Sequence, residues 1–151
     1  MLTELWLDDY ELTAPHSDIA ETRSNGFSYL FDIASGRLIA AWGQSQGRSN
    51  ELRDSNRMAG HPLSAGSLYH RGHAIPHTLG GGTDINLVSQ LGRINIGAFR
   101  PLEKQAVATP GSFYFTYWTY LGSGPDGQTP TGVDQGLLIA GQAPDIRHHG
   151  N

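Results

Sequence analysis

The chain has 151 residues, 38% of them hydrophobic and 16% charged, enough for a single domain over 1–151 that buries roughly two-thirds of its unfolded surface. It has no cysteine, which excludes disulfides, thiolate metal sites and cysteine nucleophiles, and its 20 glycines imply many tight turns. A net charge of −4 counts against a nucleic-acid partner, but residues 1–36 hold seven acids and one base, net −6, and the remaining residues seven acids and nine bases, net +2.

Taken in chain order, Thr3 to Leu12 reads as an apolar-rich edge strand with scattered acids. Gly26 to Ile33 and Arg37 to Trp42 flank Ala34-Ser35-Gly36 as a β-hairpin, the opening of an antiparallel sheet. From Gly43 to Gly66 the composition turns polar, which predicts a surface loop with a short helix around Glu51 to Met58. Ser67-Leu68-Tyr69 resumes an extended segment that delivers Arg71 and His73 at its end. Gly80-Gly81-Gly82 forces a turn, and Asn86-Leu87-Val88 leads toward the helix formers of Leu102 to Ala108. Pro101 sits at the first position of that helix or kinks one begun near Arg93. The alternation from Phe113 to Leu121 predicts a strand with Leu137 to Ala140 as its partner, and His148-His149 reads as a polar tail. The longest apolar runs are far too short to span a bilayer, so no membrane partner is expected. Met1 to Leu5 lacks the basic start and apolar core of a secretory leader, leaving the compartment open.

The chemistry concentrates in Tyr69-His70-Arg71-Gly72-His73 and the residues that follow. An Arg two residues before a His provides a fixed positive fork beside a titratable imidazole, with a Gly that lets backbone approach a ligand. A later carboxamide oxygen can hold a hard divalent cation while the imidazole takes a proton from an attacking water. Phosphodiester hydrolysis needs both the positive fork and the imidazole. The basic side chains are almost all Arg, which suits bidentate phosphate contacts.

Taken together, Tyr69 to His73, Gly80-Gly81-Gly82-Thr83-Asp84-Ile85-Asn86-Leu87-Val88-Ser89-Gln90, Asn95 and Arg100-Pro101-Leu102-Glu103 resemble the DNA/RNA non-specific endonucleases of the ββα-metal type. The likeness covers roughly residues 67 to 120. It implies an α+β fold, an antiparallel sheet carrying a ββα-metal catalytic motif, with the catalytic segment at about 67–108. It also implies Mg²⁺ (or Mn²⁺) as cofactor and DNA and/or RNA as substrate. By the same resemblance His73 is the general base, Asn95 the single protein ligand of the metal, and Arg71 the group that neutralises the phosphate. Glu103 joins the catalytic set and, with Asn86 and Gln90, orients metal-bound waters. Arg93 and Arg100 are candidate phosphate contacts. Three positions depart from the family pattern: His70 stands where the motif has Asp, Ser89 replaces Pro, and Pro101 replaces Glu. Use of the domain as the toxin end of a larger secreted bacterial protein, with a cognate inhibitor (immunity) protein in the producing cell, follows by analogy.

Other readings compete. His70, His73 and His77 form a cluster that invites a zinc site, although Pro76 opposes a helix between His73 and His77. The aromatic strand Phe113 to Tyr120 reads as core packing or as a base-stacking platform. The substitution at His70 admits a catalytically impaired module that binds nucleic acid or protein on the same scaffold.

Overall fold

In the segment after Met1, Trp6 and Tyr10 recur one helical turn apart and are both buried, while Glu4, Asp8, Asp9 and Glu11 are exposed. That is helical periodicity, and the segment forms α1 (Leu2–Glu11) in place of the edge strand expected from its apolar content. The computed structural model describes residues 1–50, 68–82, 86–121 and 125–151, with 125 and 126 described by backbone alone. The helix expected around Glu51 to Met58 lies outside these residues, as does Asp84.

Strands β1 (Ile19–Ser24) and β2 (Phe27–Asp32) pair antiparallel across Asn25-Gly26. Both turn residues have positive φ, 52° and 81°, the backbone of a tight two-residue hairpin. Sequence reasoning missed β1, four of whose six residues are exposed, so it shows no alternation. The expected hairpin of β2 with β3 (Arg37–Gln44) forms. At its turn the buried Asp32 carboxylate accepts hydrogen bonds from the Tyr10 hydroxyl, Ser35 Oγ (2.7 Å) and the backbone N–H groups of Asp18 (3.0 Å) and Ala34 (3.1 Å). Burial alone would raise this carboxyl group, but the four donors outweigh it and hold it below its usual range.

Strand β6 (Phe113–Thr119) runs antiparallel between β3 and β7 (Gly132–Leu138), and β8 (Asp145–Gly150) closes the far edge. The six-stranded order is β1-β2-β3-β6-β7-β8. The partner of β6 therefore begins earlier than the expected Leu137. His148-His149 is part of β8, not a tail: His148 Nδ1 lies 2.7 Å from Asp134 and His149 Nε2 lies 3.2 Å from Gln135 Oε1.

Both faces of β6 are covered. Trp6 of α1 packs on Phe115 and Tyr117 at 5.3 and 6.0 Å between ring centroids, and on the opposite face Trp118 meets Phe99 at 5.9 Å. The aromatic alternation is thus core on both sides, and no stacking platform is left open. Thr116 on that second face donates to the Ala74 carbonyl at 3.2 Å, which anchors a two-stranded ribbon of β4 (Tyr69–His73) and β5 (Leu87–Leu91). A wide helical turn at Ile94–Ala98 follows, then α2 (Arg100–Ala108). The acidic helix α1 and the segment bearing the motif residues therefore lie on opposite faces of the large sheet.

The expected α+β class with a ββα-metal motif is not what the chain adopts. Its architecture is mostly antiparallel β, six strands plus two, and among the described residues only α1 and α2, ten and nine residues long, are α-helices. Helical sequence after β5 is broken by the wide turn holding Gly97, and Pro101 lies in the first turn of α2, where its missing N–H costs nothing.

Candidate active site

Because side chains alternate along a strand, β4 sends Arg71 and His73 to one face and His70 to the other. The first face opens into a pocket of about 500 Å³ whose walls include Arg71 and His73 from the ribbon, Asn95 from the wide turn, and Arg100, Glu103 and Lys104 from α2. Arg48, from the loop after β3, and His77 and Thr78, from the short turn after β4, complete the polar lining. The His73 and His77 rings stand edge to face, 6.5 Å between centroids.

Among the described residues, the pocket wall thus carries four permanent cations, Arg48, Arg71, Arg100 and Lys104, and one carboxylate, Glu103. Burial pushes that carboxyl group up to about 7, against the opposing pull of the Arg100 guanidinium. A carboxyl group poised near neutrality inside a basic pocket can carry or release a proton at working pH.

Asn95 presents a carboxamide to the pocket, and its Nδ2 lies 3.5 Å from His70 Nδ1. With the nitrogen turned toward His70, the oxygen is the atom offered elsewhere. One neutral oxygen with a carboxylate nearby suits a hard cation such as Mg²⁺, which retains several waters and takes few protein ligands. Among the described residues no three His, Asp or Glu side chains converge on one point, and His70 faces away from His73, so the histidine cluster does not assemble a zinc site.

The remaining sequence candidates lie elsewhere. Asn86 is buried and clamps the turn that carries His77 and Thr78: its Oδ1 accepts from Ile75 N–H (2.6 Å) and its Nδ2 donates to Ile75 O (2.7 Å) and Gly82 O (3.1 Å). Gln90 is fully buried beneath Gly72. Arg93 is exposed and is not part of the pocket wall.

Arg48, Lys104 and Thr78 escaped sequence reasoning. Lys104 had a usable signal, since it follows Arg100 by four residues on one helix face. Arg48 had none. Its loop is brought in by long-range bonds, Ser49 N–H to Thr78 O (2.7 Å), Gly111 N–H to Ser45 O (2.7 Å) and Ser45 Oγ to Ala106 O (2.6 Å).

No protein-family model matches the chain, and no curated protein does. The fold is similar to crystal structures of NucA from Streptococcus agalactiae. The form with no metal bound aligns at a TM-score of 0.58 and 14% identity over 97% of this chain and 88% of that one. The form with a magnesium ion bound aligns at 0.57 and 14% identity over 95% and 90%. At this identity the likeness is one of fold.

Proposed function

We propose that the protein is a metal-dependent nuclease that hydrolyses phosphodiester bonds of DNA and/or RNA with little sequence selectivity. The observation that carries this reading is the meeting of Arg71, His73, Asn95 and Glu103, drawn from three separate elements, in one pocket ringed by cations. The nuclease-like fold shared with NucA, one form of which holds magnesium, supports it.

In this reading the cationic wall binds the backbone phosphate, a contact that carries no base information and so gives broad specificity. His73 takes the proton of the attacking water as its oxygen bonds to phosphorus and the bond to the leaving oxygen breaks. Arg71 meets the charge that builds on the phosphate oxygens. Asn95 would hold a divalent cation through its side-chain oxygen; when bound, the cation supplies charge neutralisation and a more acidic water. Glu103 orients water in the pocket, while Asn86 and Gln90 shape the ribbon and its following turn. Use as the toxin part of a larger secreted protein, with an inhibitor protein in the producing cell, extends this reading on the family resemblance alone.

The test is incubation of purified protein with plasmid DNA and with RNA in Mg²⁺ or Mn²⁺, with and without EDTA. Loss of substrate only without chelator is the expected result. Intact substrate in every lane, with retention of the nucleic acid in a gel shift, would favour the binding-module reading instead.

A further inference from the structure

The pocket is assembled from two bodies that are anchored to the large sheet separately. On one side, α2 is held by Gln135 Nε2, which donates to Phe99 O (3.0 Å), and by Ser45 Oγ, which donates to Ala106 O (2.6 Å). On the other, Arg71 and His73 ride on a ribbon that has two strands among the described residues and is tied to the large sheet through Thr116 and Ala74; an antiparallel pair is marginally stable by itself. Further interactions must fix the ribbon's position relative to α2.

Asn151 supplies one. Its Oδ1 accepts from Leu91 N–H at 2.7 Å, and its Nδ2 donates to Ser89 O at 2.9 Å and to Pro130 O at 2.8 Å. Its own backbone N–H donates to Thr131 O at 3.0 Å. Leu91 N–H and Ser89 O both point away from β4, on the edge of β5 that no strand pairs with among the described residues, so the carboxamide docks there as a peptide group of a third strand would. Ser89 is the register partner of Arg71, and Leu91 that of Tyr69. Two residues earlier on the same chain segment, His149 packs its ring on Phe99 at 5.4 Å and reaches Gln135, which holds α2. The end of β8 thus touches both halves of the pocket.

We infer that Asn151 is a positioning residue: by hydrogen-bonding the edge of β5 opposite β4 it sets the distance between Arg71 and His73 on the ribbon and Glu103 on α2. This rests on the nuclease reading for its catalytic consequence but not for the tie itself. A displacement of reacting groups by an ångström can cost orders of magnitude in rate while leaving binding largely intact.

The experiment compares the parent protein with Asn151→Ala and Asn151→Asp, at a temperature where circular dichroism shows each folded. Asp keeps the acceptor for Leu91 N–H but loses both donors and sets a carboxylate against two carbonyls. Both variants are expected to lose about 10- to 100-fold in kcat on whichever nucleic acid the parent cleaves, with KM changed far less. Backbone amide exchange at Leu91 should accelerate while that of Tyr117 in the central strand stays as in the parent. A kcat within twofold of the parent, or undiminished protection at Leu91, would overturn the assignment. So would global unfolding of both variants, which would make Asn151 a general stability residue. A parent that cleaves neither DNA nor RNA would sink the nuclease reading instead, and the exchange measurement would still decide whether Asn151 ties down the ribbon.

Discussion

Gln90 fills the space that a side chain at residue 72 would need: a Cβ on Gly72 would lie 2.2 Å from the Gln90 carboxamide oxygen and 2.7 Å from its Cβ. Gln90 has no exposed surface into which it could retreat. The glycine between Arg71 and His73 is therefore required by packing from beneath the ribbon, where sequence reasoning looked for a ligand approaching from above. Gly72→Ala should cost about 1–3 kcal/mol of stability through overpacking and should impair cleavage by displacing both neighbours. A double variant with Gln90→Ala should recover part of the loss, a coupling that urea denaturation of the four-protein cycle would reveal; simple additivity would contradict the contact.

Replacing His73 by Ala removes the proposed base from the ribbon. Cleavage should fall about 10²- to 10⁴-fold, measured under single turnover, while binding of uncleaved strand persists. Activity within a few-fold of the parent would shift the role to His77, whose ring stands edge to face with that of His73.

Asn95 separates ligation from local structure. Aspartate retains an oxygen at that position and alanine does not, so Asn95→Asp should keep a measurable Mg²⁺-dependent rate while Asn95→Ala raises the Mg²⁺ concentration needed or abolishes cleavage. A metal titration of the rate distinguishes the two. An unchanged Mg²⁺ midpoint in Asn95→Ala would exclude it as the ligand.

Glu103 makes stability depend on pH. Its native value, about 7, lies above the ordinary 4.5, so over that interval the native state binds a proton that the unfolded chain has released. Stability of the metal-free protein should fall as pH rises from about 4.5 to about 7 and level off above. In Glu103→Gln that slope should be absent, as thermal melts across the range would show.

Asp32 works in the opposite sense. Its native carboxyl lies below the ordinary value of 3.8, so its contribution is present above that pH and is lost as pH falls through the native value. Asp32→Ala should cost about 1–3 kcal/mol at neutral pH, because the Tyr10 hydroxyl and two backbone N–H groups lose their acceptor. It should also flatten the acid limb of the denaturation profile.

What was legible in the sequence was local. The β2–β3 hairpin, the aromatic strand and the segments bearing Arg71, His73, Asn95 and Glu103 could be read from alternation and motif spacing, and the pocket brings these four together. The Asn25-Gly26 pair is an equally legible turn, but β1 beside it shows no alternation to mark it as a strand. The helical register of Trp6 and Tyr10 was hidden among acids that resemble an edge strand. Arg48 could not have been found, since only bonds across the fold carry its loop to the pocket. The functions of Asn86 and Gln90 as buried supports depend on what lies beside Ile75 and Gly72, and no one-dimensional pattern encodes that.

The placement of α1 behind the sheet has a kinetic consequence. Glu4, Asp8 and Glu11 are exposed on the side of the sheet away from the pocket that Arg48, Arg71, Arg100 and Lys104 line, so these charges together set a field that is positive toward the pocket. A polyanion diffusing nearby feels a torque before it feels contact, and the acidic back discourages unproductive encounters. Under the proposed function, a protein of net charge −4 attracts nucleic acid by its pocket side, and the association rate should slow as added salt shortens the reach of that field.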